Sequence, residues 1–80
     1  MFKDNCKYFF SLEKYLEAIG NKKVKELPEE ERIWTSYCEG REIKPIGNKM
    51  GIIYLPDGVH HILIEYNWCI EKPAIKELTV

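Results

Sequence analysis

Residues 59–70 read Val-His-His-Ile-Leu-Ile-Glu-Tyr-Asn-Trp-Cys-Ile, and every second side chain from His60 to Ile70 falls on one side of an extended chain. That side is mostly apolar, whereas the other side mixes apolar and polar residues. A period of two over this length predicts a long β-strand with one buried face. This strand is about twice as long as its predicted partner strand, residues 50–55. Half of its backbone groups therefore need another strand as a hydrogen-bond partner.

The residues before this strand predict a β-hairpin. Residues 55–59, Leu-Pro-Asp-Gly-Val, place Pro, Asp and Gly in the order of a tight turn. A register in which Ile52 faces Ile62 puts the apolar sets of both strands on one side, and a slip of one residue would separate them. We therefore expect residues 50–55 to pair with residues 59–70 in that register.

Two further strands are predicted at the ends of this hairpin. Residues 42–46 can pair with residues 50–55, and Pro45 favours an edge position because proline donates no hydrogen bond. Residues 71–73 can turn the chain so that residues 74–80 run back along the long strand. The sheet would then have three or four antiparallel strands.

The N-terminal part has a helical period. Between Asn5 and Ile19 the apolar residues fall within one arc of a helical wheel, which predicts a helix with Asp4 as its N-cap and Gly20 at its end. Phe10 projects to the opposite, polar side of this helix. The apolar arc contains Tyr8, Phe9, Leu12, Tyr15, Leu16 and Ile19.

A second helix is predicted over residues 28–38. Pro28 and the three carboxylates of residues 29–31 are typical of a helix start, because the acidic groups complement the positive end of the helix dipole. Gly40 ends it. With 80 residues and 45 % hydrophobic content, the chain is predicted to form a single domain over residues 1–80. The expected fold is α+β in the order ααββββ, with the two helices on one face of the sheet.

Catalytic and metal-binding motifs are not found. Cys6, Cys38 and Cys69 lack the close pairing of zinc ligands, and the adjacent His60 and His61 would point to opposite faces of a strand. A Cys nucleophile served by His61 and Asp57 has no local signature, and the turn already explains the aspartate. We therefore expect no enzyme activity, no cofactor and no metal.

Nucleic-acid binding is kept as the alternative function. The formal net charge of -1 gives no long-range attraction for phosphate. Two helices followed by a hairpin loosely resemble a winged-helix module, but the second helix opens with three glutamates that phosphate would repel. A local basic patch remains open, formed by Lys22, Lys23, Lys25, Arg41, Lys44 and Lys49.

Protein binding is the function that the sequence favours. A chain this short has little room for a deep pocket, and its aromatic residues exceed what a small core must hide. Lys outnumbers Arg ten to two, and there is neither a signal peptide nor an apolar run long enough to cross a membrane. The profile resembles small phage or mobile-element proteins acting in the cytoplasm. The predicted partner-binding residues are Phe10, Glu29, Glu30, Glu31, Trp34 and Trp68.

The expected activity is therefore that of a stoichiometric inhibitor, antagonist or adaptor, directed for example at a host defence protein such as a CRISPR effector. Pairing of two chains through an exposed sheet edge, giving a homodimer with a structural role, is a second alternative.

Overall fold

The computed structural model describes residues 1–73. It confirms the α+β class, with both helices before the three-stranded meander, and adds a strand before the first helix. The predicted strand at residues 74–80 lies outside the described residues. The elements are β1 Cys6–Phe10, α1 Leu12–Ala18, α2 Glu29–Cys38, β2 Lys44–Pro45, β3 Met50–Tyr54, β4 His61–Glu65 and β5 Cys69–Pro73.

The strands form two antiparallel sheets that share one linking segment. One sheet has the order β2-β3-β4 and the other pairs β1 with β5. Residues 40–45 join them, because Ile43 N–H donates to the Tyr8 carbonyl before Lys44 pairs with Ile52 of β3. Within residues 1–73, the expected single sheet of three or four strands is instead five strands in two sheets, whose inward side chains share one core.

The predicted helix over residues 5–19 is wrong in its first half. Residues 6–10 form β1, in which Tyr8 and Phe10 point inward and are 1 % and 0 % exposed. The apolar and aromatic residues of this segment fit the pattern of a helix as well as that of a strand. The segment forms a strand because β5 provides a hydrogen-bonding partner for its backbone. The N-cap of α1 is Ser11, whose hydroxyl accepts a hydrogen bond from Lys14 N–H, and not Asp4.

The prediction of one long strand over residues 59–70 is also wrong. After β4 the chain makes a 3-10 turn at Tyr66–Trp68 and continues as β5 in the other sheet. The backbone groups that needed a second partner find it in β1. The two errors are connected, since the partner of β5 is the segment that the helical pattern had concealed.

The hairpin forms, but its register differs by one residue from the prediction. Ile52 faces Leu63 instead of Ile62, and Ile53 faces Ile62. The loop is one residue longer than expected because Leu55 N–H donates to the His60 carbonyl across it. A shift of one residue turns every side chain of β3 to the other face relative to the prediction.

Other local predictions are confirmed. The second helix spans Glu29–Cys38 directly after Pro28, and Gly40 has a positive φ of 79° just beyond its end. Pro45 lies in β2 at the edge of its sheet. Gly20 follows α1 with a φ of 113°, a conformation that glycine adopts without steric cost.

Candidate interaction surfaces

An aromatic cluster surrounds the buried ring of Tyr15 on α1. The ring centroids of Trp68, Trp34 and Phe10 lie 4.8, 5.1 and 6.0 Å from that of Tyr15. The Tyr15 hydroxyl donates a 3.0 Å hydrogen bond to the Glu31 carboxylate of α2. Burial, reinforced by this carboxylate, raises the pKa of Tyr15 to about 12. The phenol therefore stays protonated and ties the two helices together.

Three of the six residues predicted to bind a partner belong to this cluster, namely Phe10, Trp34 and Trp68, and Glu31 is hydrogen-bonded to it. One of these predictions fails because the residue is buried. Phe10 was expected on the polar face of a helix, yet it is a fully buried strand residue, so a partner cannot touch it in this conformation. Trp34 and Trp68 are half-buried and present only part of their surface. Glu29 and Glu30 are exposed in the first turn of α2, where they complement the helix dipole.

The basic residues of the nucleic-acid alternative are all exposed but lie on several elements. Lys22 lines a surface depression beside Leu16, whereas Lys49 lines another beside Tyr66. Arg41 places its guanidinium 4.0 Å from the ring centre of Tyr37 and donates to that residue's carbonyl. The structure therefore does not gather the six residues into one depression.

The outward face of the β2-β3-β4 sheet is a surface that the sequence did not reveal. Directly opposed residues share a face, so the register places Ile52 of β3 and Leu63 of β4 on the side away from the core. We call this side the outer face. It carries Lys44, Ile46, Met50, Ile52, Tyr54, His61, Leu63 and Glu65.

The outer face is apolar at its centre and polar at its margin. Ile46, Tyr54 and Leu63 are 56 %, 46 % and 53 % exposed. Ile52 between them is only 7 % exposed, although it does not belong to the cluster of buried side chains that forms the core. The sequence had placed Ile52 and Tyr54 on the buried side, and only the correct register reveals their true position.

The cysteines are poor candidates for a nucleophile. Burial raises the pKa of Cys38 to about 11 and that of Cys69 to about 12, so both thiols are protonated at neutral pH. Cys69 Sγ contacts the Glu65 carbonyl, and no hydrogen bond within residues 1–73 joins either thiol to a histidine. Burial and the nearby Glu71 carboxylate also raise the pKa of Cys6.

The two histidines have different neighbours. At the hairpin tip, His60 Nδ1 lies 2.6 Å from Asp57 Oδ2. This hydrogen bond lowers the pKa of Asp57, and so do the hydrogen bonds that the carboxylate accepts from the Val59 and His60 N–H groups. His61 lies on the outer face with its ring 6.0 Å from Tyr54. The Asp57 carboxylate thus closes the turn, which is the role that the Pro-Asp-Gly motif predicted.

Over the described part of the chain, no group of three His, Cys, Asp or Glu side chains is arranged to hold a metal ion. None of the helices within residues 1–73 has the length and apolar content needed to cross a membrane. Comparisons with protein-family models, with curated proteins and with solved structures found no match.

Proposed function

We propose that the chain is a non-catalytic protein-binding domain that uses the outer face as its binding surface. The observation that carries this proposal is the half-exposed group of Ile46, Tyr54 and Leu63 around Ile52. Neighbouring apolar side chains on an exposed face with a polar margin are typical of surfaces that bind another protein.

Two features of the outer face suit a protein partner. Its centre is built on a hydrogen-bonded sheet, so little conformational entropy is lost when a partner covers it. Tyr54 offers an aromatic ring of the kind that contributes most to binding at protein interfaces. The centre of the outer face is apolar, and the exposed charges of Lys44 and Glu65 at its margin contribute little, so we expect binding that tolerates salt.

Within this function, the role of a stoichiometric inhibitor, antagonist or adaptor stays a prediction from the sequence, as does a phage origin with a CRISPR effector as target. Contacts through Trp34, Trp68 and residues 29–31 also remain predictions. The nucleic-acid alternative makes a contrasting prediction, namely an affinity that falls steeply with salt and depends on residues 22–25.

The test starts from isolation of binding proteins with the tagged full-length chain from a bacterial lysate. Each candidate is then purified, and its complex is measured by isothermal titration calorimetry. We expect one-to-one stoichiometry and a Kd that Tyr54→Ala and Ile46→Ser each raise by about tenfold or more. Both side chains are half-exposed, so the Tm should change little.

Ile33→Ser is the matched control, because Ile33 is an exposed apolar residue on α2 and not on the outer face. It should leave the Kd unchanged. Binding by the Tyr54 and Ile46 variants that equals binding by the parent chain would overturn the proposal. An affinity lost through Trp34→Ala at unchanged Tm would instead move the surface to the aromatic cluster.

A further inference from the structure

The open strand edges of the protein differ in how they resist pairing with another chain. Within residues 1–73, β2, β4 and β5 each have one edge without a partner strand. Lysine and proline on an edge strand disfavour addition of a further strand, and β2 consists of Lys44 and Pro45 while β5 ends in Lys72 and Pro73. β4 reads His-Ile-Leu-Ile-Glu and contains neither residue.

The hydrogen-bond pattern shows which groups of β4 face outward. Leu55 N–H donates to the His60 carbonyl, and Tyr66 N–H donates to the Lys49 carbonyl. Hydrogen-bonded pairs alternate along an antiparallel ladder, so residues 60, 62, 64 and 66 bond to the β3 side. The N–H and C=O groups of His61, Leu63 and Glu65 therefore point away from β3. The Glu65 carbonyl also accepts a weak bond from Cys69 Sγ, which leaves it a second lone pair.

We propose that β4 pairs in antiparallel fashion with β4 of a second copy of this chain, around a two-fold axis at Leu63. The sequence of β4 is complementary to itself in this register. His61 faces the Glu65 carboxylate of the second copy at both ends, and the two Leu63 side chains meet at the axis. All three outward-facing residues then fall at hydrogen-bonded positions.

Other registers fit less well. A shift of two residues in either direction keeps the outward groups opposed, but it places Leu63 opposite Glu65 or opposite His61 and separates both His61–Glu65 pairs. A shift of one residue opposes outward groups to groups already bonded to β3. The pairing of the His61 imidazole with the Glu65 carboxylate therefore selects a second copy and a single register.

This inference goes beyond the proposed function and rests on the edge of β4, not on partner binding by the outer face. Pairing would join the two three-stranded sheets into one of six strands and make their outer faces continuous. The contact is one short strand from each copy, which is smaller than the roughly 1,200 Å² of total area that stable complexes bury. We therefore expect reversible dimerisation that depends on concentration.

The first test is sedimentation equilibrium of the full chain from micromolar to millimolar concentration. We expect a mass that rises from one chain to two. Leu63→Lys places two ammonium groups at the axis and should abolish the dimer. Val59→Lys is the control, because it adds the same charge at an exposed loop position outside β4 and should leave dimerisation intact.

A second test addresses the register. Glu65→Lys, which would face His61 of the second copy, should weaken dimerisation by about tenfold, since two such pairs lose their attraction. Adding His61→Glu should restore it. The two positions lie about 13 Å apart along one strand, so restoration requires contact between copies.

A chain that stays monomeric at every concentration overturns the proposal. A dimer that persists in Leu63→Lys, or one that the double exchange does not restore, also overturns it. Neither outcome bears on the proposed function, which is measured by the effect of Tyr54 and Ile46 on the affinity for a different protein.

Discussion

The two faces of the β3–β4 hairpin contain similar residues in opposite surroundings. On the inner face, Ile53 and Ile64 belong to the same buried cluster as Phe10 and Cys38. On the outer face, Tyr54 and Leu63 remain about half-exposed although each is adjacent in sequence to one of those isoleucines. The difference teaches that hydrophobicity does not decide which residues form the core. The register and the elements that pack on each face decide it.

The largest expected effect contrasts neighbours on β4. Ile64→Ala should lower the free energy of unfolding by about 2–5 kcal/mol, because it leaves a cavity beside fully packed neighbours. Leu63→Ala should change it by less than about 1 kcal/mol, since the side chain already contacts solvent. Urea denaturation at a protein concentration low enough to keep the chain monomeric measures both values. Equal losses would show that the outer face is covered as thoroughly as the inner one.

A smaller effect is expected where β2 meets β3 on the inner face. A Cβ on Gly51 would collide with Ile43 Cγ2 and lie 3.0 Å from the Lys44 carbonyl oxygen. Gly51→Ala should therefore cost about 1–3 kcal/mol of stability through overpacking. Thermal unfolding measures the loss. Gly47→Ala is the control, because a Cβ there meets nothing within 4 Å. A Gly51 variant as stable as the control would mean that Ile43 and Lys44 do not pack closely against Gly51.

The smallest effect concerns the hairpin tip that connects the two strands. The pKa of Asp57 is lowered from 3.8, mainly by the hydrogen bond with His60 and also by two backbone N–H groups. A lowered pKa means that the carboxylate stabilises the fold above pH 3.8 and that this contribution is lost as the pH falls through the folded-state value. Asp57→Asn should therefore be slightly less stable than the parent at neutral pH, and the difference should shrink on acidification.

Urea titrations of both chains at neutral pH and below pH 3.8 measure this difference. The tip is exposed, so the difference in stability loss between Ile64→Ala and Leu63→Ala should be the same in the Asp57 variant. A difference that grows on acidification would contradict the assigned role of the carboxylate.

Local signals predicted much of the fold. Pro28, the acidic first turn and Gly40 placed α2, and Pro45 was correctly assigned to an edge strand. These features depend on backbone conformation within a few residues, so the chain needs no distant contact to express them. The α+β class was predicted from the change between the helical period of the N-terminal half and the period of two in the C-terminal half.

The candidate surfaces were harder to predict. Trp34 and Trp68, predicted to bind a partner, are half-buried, and their role in binding stays a prediction. Phe10 was assigned to a surface because β1 had been taken for a helix. The outer face was missed because a single extra residue in the hairpin loop moves Ile52 and Tyr54 to the opposite side of the sheet.

The sequence by itself determined the bounds of α2, the helix in the second half of residues 5–19, and the presence of the hairpin. Only the tertiary structure decided that residues 6–10 are a strand, that the long alternating segment is two strands, and which hairpin face is exposed. The physical reason is that helix caps and turns are set by neighbouring residues, whereas strand pairing is set by distant ones. β1 needs β5, and the exposed apolar surface is defined only after both have been placed.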